Sequence, residues 1–257
     1  MVQAAFSSQT LQNQLSKNSS QQNSRAKSAI SAASLKSKNM IELLPALLTQ
    51  TREEFETRVR AVENIAPMAQ IDILDDTWLP GKTWADPGDI SATVSPLLFE
   101  LHLMVAHPVE HLEAWSELPS LKRVVFHLET ALQPKQVVEA IRFYGWDVVV
   151  AINPETPAAD VLEILPYVDE VMCLTVKPGA SGRPFEHGVL KKIAELAANN
   201  HHAIIGVDGA ITAETLPLCI AAGSTRVRVN SALFGGEKSV AHAWAELEKI
   251  AQESESR

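Results

Sequence analysis

The stretch AQIDILD, residues 69–75, predicts a β-strand that carries two polar side chains on one face. Alternate residues of a strand point to the same side, so Gln70 and Asp72 face one way while Ile71 and Ile73 face the other. Because the run is otherwise apolar, we expect the polar face to be buried. A buried carboxylate is costly unless it is paired, bound to a metal or protonated, which makes Asp72 a candidate for chemistry.

Seven more short apolar runs lie along the chain, separated by stretches with apolar residues at helical spacing. Eight strand-then-helix units in the 218 residues from Met40 onward predict a small (β/α)8 TIM barrel. A doubly wound open sheet is the alternative, but it usually has fewer strands, and no GxGxxG follows the first run. The eight runs are IELLPAL (41–47), AQIDILD (69–75), FELHLMV (99–105), RVVFHLE (123–129), WDVVVAI (146–152), EVMCLTV (170–176), AIIGVD (203–208) and TRVRVN (225–230).

Composition argues against a membrane and against nucleic acid as partners. The chain has 257 residues, 46% of them hydrophobic, and no apolar stretch approaches the roughly 18 residues that a membrane span needs. Residues 1–39 hold five basic residues and no acidic one, so the net charge of −9 leaves −14 for the rest. Such an acidic body disfavours nucleic acid. Cys173 and Cys219 match no metal or disulfide spacing, so we expect buried thiols and a cytoplasmic protein.

Residues 1–39 differ in composition from the rest, since they are rich in Ser, Gln, Asn and Ala. Such a segment buries too little apolar surface to offset its ordering entropy. We therefore expect a disordered extension over 1–39 and a barrel domain over 40–257. A transit peptide and a start of translation at Met40 are the alternatives.

Polar residues near the carboxyl ends of the predicted strands form a short set of candidates for one cavity, because that end of a TIM barrel carries the active site. Some have a plain structural alternative. Asp208 beside Gly209 suits a turn, and His102 suits a hydrogen-bonded core histidine. His127 and Glu129 suit a supporting pair. The full set is Gln70, Asp72, His102, His127, Glu129 and Asp208.

Three glycine-bearing loops follow the last three strands. Loops of this kind expose backbone N–H groups at helix starts, where phosphate binds, and the last two loops of a TIM barrel usually hold it. The alternative is that these glycines only turn the chain. The loops are KPGASGRP (177–184), DGAIT (208–212) and NSALFGG (230–236).

Six motifs in order resemble those of the ribulose-phosphate 3-epimerase family over about residues 41–236. QIDILDDTWLP resembles H-x-D-x-M-D-G-x-F-V-P, ELHLMVAHPVEHL resembles H-L-M-V-x-x-P, and VVFHLET resembles F-H-x-E-A. LTVKPGASGRPF resembles M-[ST]-V-x-P-G-F-G-G-Q-x-F, VDGAITAET resembles V-D-G-G-I-x-x-x-T, and VNSALFGG resembles V-x-G-S-A-I-F.

The resemblance implies epimerisation of a ketose phosphate, ribulose 5-phosphate to xylulose 5-phosphate, with Asp72 and Asp208 as the acid/base pair. It also implies a divalent metal, Zn, Fe, Mn or Mg, held by the positions of Asp72, His102, Asp208 and Gln70. The partner is then a small sugar phosphate, and formation of a homo-oligomer stays open. The implied substrate-binding residues are His102, Met104, Gly179, Gly182, Gly209, Ala210, Asn230 and Ser231.

Several positions depart from the family pattern. Gln70 stands in place of a metal-binding histidine, and an amide oxygen is a poorer zinc ligand than imidazole. Ala46 replaces a serine on the first strand, while Ala210 and Asn230 replace glycines of the phosphate loops. These departures keep two alternatives open: a barrel enzyme with another sugar-phosphate isomerase or lyase activity, and a non-catalytic phosphosugar-binding relative.

Overall fold

A computed structural model describes residues 40–178, 182–199 and 202–255. Eight parallel strands close into a barrel in chain order, with the last strand paired to the first. The predicted TIM barrel is therefore confirmed, and each predicted strand is found within two residues of its expected bounds. The strands are β1 (Glu42–Leu47), β2 (Met68–Ile73), β3 (Leu98–Leu103), β4 (Leu121–His127), β5 (Asp147–Ile152), β6 (Glu170–Leu174), β7 (Ile204–Asp208) and β8 (Arg226–Val229). The expected disordered extension over 1–39 lies outside the described residues.

Helices cover the outside of the barrel, with one departure from the predicted alternation. Between β5 and β6 the structure has two 3-10 turns, Ala158–Val161 and Leu165–Tyr167, and no α-helix. Pro157 and Pro166 flank or interrupt this stretch, and proline removes the N–H that a helix interior needs. The helices are α1 (Arg52–Val62), α2 (Pro87–Ala92), α3 (Pro108–Trp115), α4 (Pro134–Phe143), α5 (Val189–Asn199), α6 (Leu216–Ala221), α7 (Ser231–Phe234) and α8 (Val240–Glu255). No helix in the described ranges is long and apolar enough to cross a membrane.

Helix α1 illustrates how the sequence sets an outer element. The Thr51 side chain accepts a hydrogen bond from the Glu54 backbone N–H at 3.2 Å and so caps the first turn. Phe55, Val59 and Val62 follow at helical spacing and are buried against the barrel. The main core thus lies between the strands and the helices. It also contains Cys173 and Cys219, which are free and buried as expected.

The strand register sets the height of each inward side chain. Asp72 of β2 is level with His102 of β3, and Leu174 of β6 is level with Asp208 of β7. Inward-facing apolar residues fill one side of the barrel interior. The polar residues predicted at the strand ends therefore lie together inside the barrel, on the side that this apolar cluster does not fill. The inner apolar cluster is Val125, Val149, Ala151, Met172 and Leu174.

Candidate active site

Asp72, His102 and Asp208 meet at the carboxyl end of the barrel. The Nδ1 atom of His102 lies 3.0 Å from Asp72 Oδ1 and 3.5 Å from Asp208 Oδ2. One potential ligand atom from each residue can be chosen so that all three lie within 4.8 Å of one another. The structure therefore brings together the two predicted acid/base carboxylates and the predicted histidine ligand.

Gln70 lies beneath this cluster and is fully buried. Its amide nitrogen donates to Asp72 Oδ1 at 2.7 Å and to Asp208 Oδ2 at 2.9 Å, so the amide bridges the two carboxylates. The amide oxygen is also buried and accepts no hydrogen bond from the described residues. We call Gln70, Asp72, His102 and Asp208 the acidic site.

The donor set of the acidic site fits a divalent cation. Two carboxylates and one imidazole are ligands common to Zn, Fe and Mn sites. Rotating the Gln70 side-chain amide by half a turn would exchange the positions of its nitrogen and its oxygen. The oxygen, which accepts no hydrogen bond from the described residues, would then face the two carboxylates and could serve as a fourth, harder ligand. In the structure the amide nitrogen faces the carboxylates, so the predicted role of Gln70 as a ligand requires that turn.

Burial and the neighbouring charge of Asp72 raise the pKa of Asp208, although His102 and the hydrogen bond from Gln70 act in the opposite direction. A carboxyl group in this setting holds a proton more readily than an exposed one. Asp208 is thus the carboxyl group of the pair that its surroundings favour in the protonated form.

His127, the last residue of β4, and Glu129, in the 3-10 turn that follows, lie beside the acidic site. His102 Nε2 lies 2.8 Å from His127 Nε2, and the two rings stack with centroids 5.0 Å apart. His127 Nδ1 lies 3.6 Å from Glu129 Oε2, longer than a hydrogen bond. Burial lowers the pKa of His127 to about 4, so its ring is neutral near pH 7. The supporting pair predicted from sequence therefore contacts the acidic site through His102.

A cavity of about 280 Å³ opens above the acidic site. Asp72, His102 and Asp208 form part of its wall together with most of the residues predicted to bind substrate. Gly179 lies outside the described residues. The other predicted members on this wall are Met104, Gly182, Gly209, Ala210, Asn230 and Ser231.

The loops after β7 and β8 shape the cavity where phosphate binding is predicted. Gly209 and Ala210 both have positive φ, at 113° and 47°, and a Cβ on Gly209 would collide with Val176. Ala210 adopts this conformation at a cost that glycine would avoid. Asn230 turns its side chain away from the loop backbone, because its Nδ2 donates to the carbonyl of Ala46 at 2.9 Å.

Sequence reasoning missed a second polar cluster inside the barrel, toward the amino ends of the strands. Arg228 is fully buried and donates to both oxygens of Glu100, at 2.9 and 2.7 Å, and to Glu170. Arg226 and Arg123 link the same acids to Glu42. Charged residues at alternate strand positions, as in TRVRVN, were a signal for it. We call these residues the charged layer: Glu42, Glu100, Arg123, Glu170, Arg226 and Arg228.

Sequence reasoning also passed over three polar residues at the cavity. Gln50 and Lys82 come from the loops after β1 and β2, and Arg183 comes from the loop after β6. Only the folded loops bring these positions together, since no spacing in the chain relates them.

Residues 42–234 match the model of the ribulose-phosphate 3 epimerase family. The ribulose-phosphate 3-epimerase of Treponema pallidum is 31% identical over 66% of this chain and 80% of that protein. The enzyme of that name from Methanocaldococcus jannaschii is 31% identical over 75% of this chain and 82% of its own.

Solved structures show the same fold at lower identity. The 3-hexulose-6-phosphate synthase of Salmonella typhimurium superposes with a TM-score of 0.63 at 15% identity, covering 83% of this chain and all (100%) of its own. A thiamine phosphate pyrophosphorylase from Pyrococcus furiosus has a TM-score of 0.58 at 17% identity, covering 84% of this chain and 98% of its own. These two likenesses concern the fold alone.

Proposed function

The chain belongs to the ribulose-phosphate 3-epimerase family and is an isomerase of the epimerase class, and on that premise we propose that it interconverts ribulose 5-phosphate and xylulose 5-phosphate. The observation that carries this proposal is the meeting of Asp72 and Asp208 at one cavity. The amide nitrogen of Gln70 contacts both carboxylates, and Nδ1 of His102 lies within 3.5 Å of both.

Epimerisation at carbon 3 needs two groups that exchange one proton on opposite faces of the sugar. In one direction the Asp72 carboxylate removes the proton, and the electrons of the C–H bond move into the neighbouring carbonyl group to give an enediolate. Asp208, carrying a proton, then returns one from the other side. The raised pKa of Asp208 supports this division of roles. In the reverse direction the two roles exchange.

Asp72, His102 and Asp208 would hold a divalent cation, with Gln70 as the fourth ligand once its amide is turned. A cation there stabilises the negative charge that develops on the substrate oxygens. Because an amide replaces an imidazole, we expect weaker metal affinity than at a two-histidine site. The two free, buried thiols support a cytoplasmic location.

The phosphate group lies, in this proposal, at the loops after β7 and β8. Backbone N–H groups from Gly209 to Ala210 and at the start of α7 supply the hydrogen bonds. The side chain of Asn230 leaves room for the phosphate group, because its Nδ2 donates a hydrogen bond to the backbone carbonyl of Ala46 near the end of β1.

The test is a coupled assay of epimerase activity with ribulose 5-phosphate, with and without a chelator. We expect turnover that the chelator stops, and we expect Asp72→Asn to abolish it. Asp76→Asn is the matched control, since Asp76 has the same charge and lies nearby in the chain without lining the cavity. Turnover that survives Asp72→Asn would contradict the proton-transfer role. Binding of the sugar phosphate without turnover would favour the non-catalytic alternative.

A further inference from the structure

Two basic side chains that the proposed reaction does not use line the cavity. Lys82 comes from the loop after β2 and Arg183 from the loop after β6, and both are exposed. Neither side chain forms an ion pair or a hydrogen bond with any residue that the structure describes. Lys177, in the same loop as Arg183, does form an ion pair, with Glu155 at 3.2 Å. The chain is acidic, with 31 acidic and 22 basic residues, so two unpaired cations at one cavity indicate an anionic ligand.

The two cations flank the loops at which the proposed function places the phosphate group. The strands close in chain order, so the loops after β7 and β8 lie between the loop after β6 on one side and the loops after β1 and β2 on the other. Arg183 belongs to the first side and Lys82 to the second. The acids on the cavity wall, Asp72 and Asp208, take their hydrogen bonds from within the acidic site and leave both cations unpaired.

Hydrogen bonds tie the segment that carries Arg183 to the loop after β7. The Thr175 backbone N–H donates to the carbonyl of Asp208 at 2.8 Å, and the Thr175 hydroxyl donates to the carbonyl of Gly209. The Thr175 carbonyl in turn accepts from the backbone N–H of Glu186 at 2.8 Å, three residues after Arg183. The loop that carries Arg183 is therefore joined to the loop whose N–H groups are proposed to bind phosphate.

The backbone around Lys82 is held in place as well. Thr83, the next residue, exchanges two hydrogen bonds of 3.0 Å with Leu74: its backbone N–H donates to the Leu74 carbonyl, and its hydroxyl accepts from the Leu74 N–H. The backbone N–H of Trp84 then donates to the carbonyl of Thr49, in the loop after β1, at 2.9 Å. Lys82 therefore extends from a fixed backbone on the β1 side of the cavity.

We propose that Arg183 and Lys82 clamp the phosphate group of the substrate from the two sides of the β7 and β8 loops and are the residues by which the cavity recognises its negative charge. The inference rests on the phosphate position in the proposed function. Backbone N–H groups hold a phosphate without carrying a net charge. A guanidinium adds a rigid fork of donors that matches two phosphate oxygens, and a lysine adds a point charge.

The test measures the binding of ribitol 5-phosphate by isothermal titration calorimetry, because this compound has the phosphate group but no carbonyl group and cannot react. Arg183→Gln should weaken binding by about 10- to 100-fold, the effect of losing hydrogen bonds to a charged group. Lys82→Gln should weaken it by about two- to fivefold, because an exposed, flexible point charge contributes less.

Lys191→Gln is the matched control. Lys191 is an exposed cation on α5, outside the cavity, and its side chain has no partner among the described residues. Its removal changes the net charge by the same amount but should change the affinity less than about twofold, since salt screens distant charges. Arg183→Lys should recover part of the affinity that Arg183→Gln loses, because it restores the charge without the fork of donors.

The same variants are then assayed with ribulose 5-phosphate. We expect KM to rise in the order of the binding losses, with kcat within about twofold of the unmodified chain. The reason is that a contact with the phosphate group holds the substrate and the transition state equally.

The outcomes separate this inference from the proposed function. Equal affinities of Arg183→Gln and Lys191→Gln for ribitol 5-phosphate would overturn the clamp, whatever the epimerase assay shows. A fall in kcat with unchanged binding would also overturn it, because Arg183 would then act on the chemical step. Absence of ribitol 5-phosphate binding to the unmodified chain would refute the phosphate site and the clamp together. The expected binding losses without epimerase turnover would support the clamp and refute the proposed reaction alone.

Discussion

Two polar clusters are buried in this barrel, and they differ in how their charges balance. The charged layer contains three glutamates and three arginines joined by ion pairs. The acidic site has Asp72 and Asp208 joined by the neutral amide of Gln70, and its nearest titratable partner is His102. The charged layer has as many arginines as glutamates, whereas the acidic site has two carboxyl groups and neither an arginine nor a lysine among its four residues.

The difference appears in the acid–base behaviour of the two clusters. Burial alone would raise the pKa of Glu170, but the charges of Arg228 and Arg226 outweigh it and lower that pKa to about 2. Burial and Asp72 raise the pKa of Asp208. A buried carboxylate with arginine partners stays ionised and structural, while one beside another carboxylate is ready to exchange a proton or to bind a cation.

Gly206 shows that the charged layer is fitted to the backbone around it. A Cβ at this position of β7 would collide with Glu170 Oε1 and Arg228 Nη1. Glycine usually weakens the interior of a strand. At position 206 it leaves the space that the Glu170–Arg228 ion pair occupies. Two residues farther along the same strand, Asp208 belongs to the acidic site, so one short strand serves both clusters.

Removing Arg228, the fully buried arginine of the charged layer, should have the largest effect on stability. Arg228→Met leaves Glu100 and Glu170 buried with fewer partners, and breaking a buried ion pair in this way costs about 3–5 kcal/mol. We expect the free energy of unfolding, measured by urea denaturation, to fall by that amount. Arg142→Met is the control, since the Arg142–Asp169 pair is half exposed and should contribute less than about 1 kcal/mol. Equal losses in the two variants would show that the charged layer is no more important than a surface pair.

Acidification should also lower the free energy of unfolding through the charged layer, by somewhat less than Arg228→Met does. Because the pKa of Glu170 is lower in the folded chain, about 2, than its ordinary value of 4.5, its contribution is complete above pH 4.5. The contribution is lost as the pH falls from 4.5 toward 2, and it amounts to about 3 kcal/mol for this fully buried group. Urea unfolding at pH 7, 4.5 and 3 checks this. Glu170→Gln should have a flatter profile between pH 4.5 and 3, whereas Glu117→Gln, at an exposed position, should follow the unmodified chain. Parallel profiles for all three would contradict the assignment.

The fold was predictable because the spacing of hydrophobic residues within each short segment indicates whether that segment is a strand or a helix. Each strand is a short apolar run, and helices such as α1 have apolar residues three and four apart. The stretch between β5 and β6 departs from the repeating strand-then-helix pattern, because the three prolines Pro154, Pro157 and Pro166 disfavour a continuous α-helix there.

The acidic site was predictable in its members but not in its contacts. Asp72 and His102 each interrupt an apolar strand, which marks them without any knowledge of distance. The direction of the Gln70 amide and the nearness of His127 to His102 depend on the stagger of neighbouring strands, which no spacing in the chain encodes. The alternate arginines of TRVRVN mark the charged layer in the sequence, but their glutamate partners are not predictable from spacing, since Glu100 and Arg228 lie 128 residues apart.

Neutralising Asp208 in the acidic site should raise stability, whereas removing Arg228 or lowering the pH weakens the charged layer. The expected change in free energy of unfolding is the smallest of these three effects. Asp208→Asn removes a carboxylate that burial and Asp72 both disfavour, while its amide oxygen can still accept from Gln70. We expect the metal-free protein to gain about 0.5–2 kcal/mol, the gain common when a functional site is relieved of unfavourable charge, and to lose turnover. Urea unfolding in the presence of a chelator, beside the epimerase assay, measures both effects. Glu170→Gln is the matched comparison, because it neutralises a buried acid that has arginine partners and should therefore lose stability. A loss of stability in Asp208→Asn as large as that in Glu170→Gln would mean that the negative charge of the acidic site is already compensated in the metal-free protein.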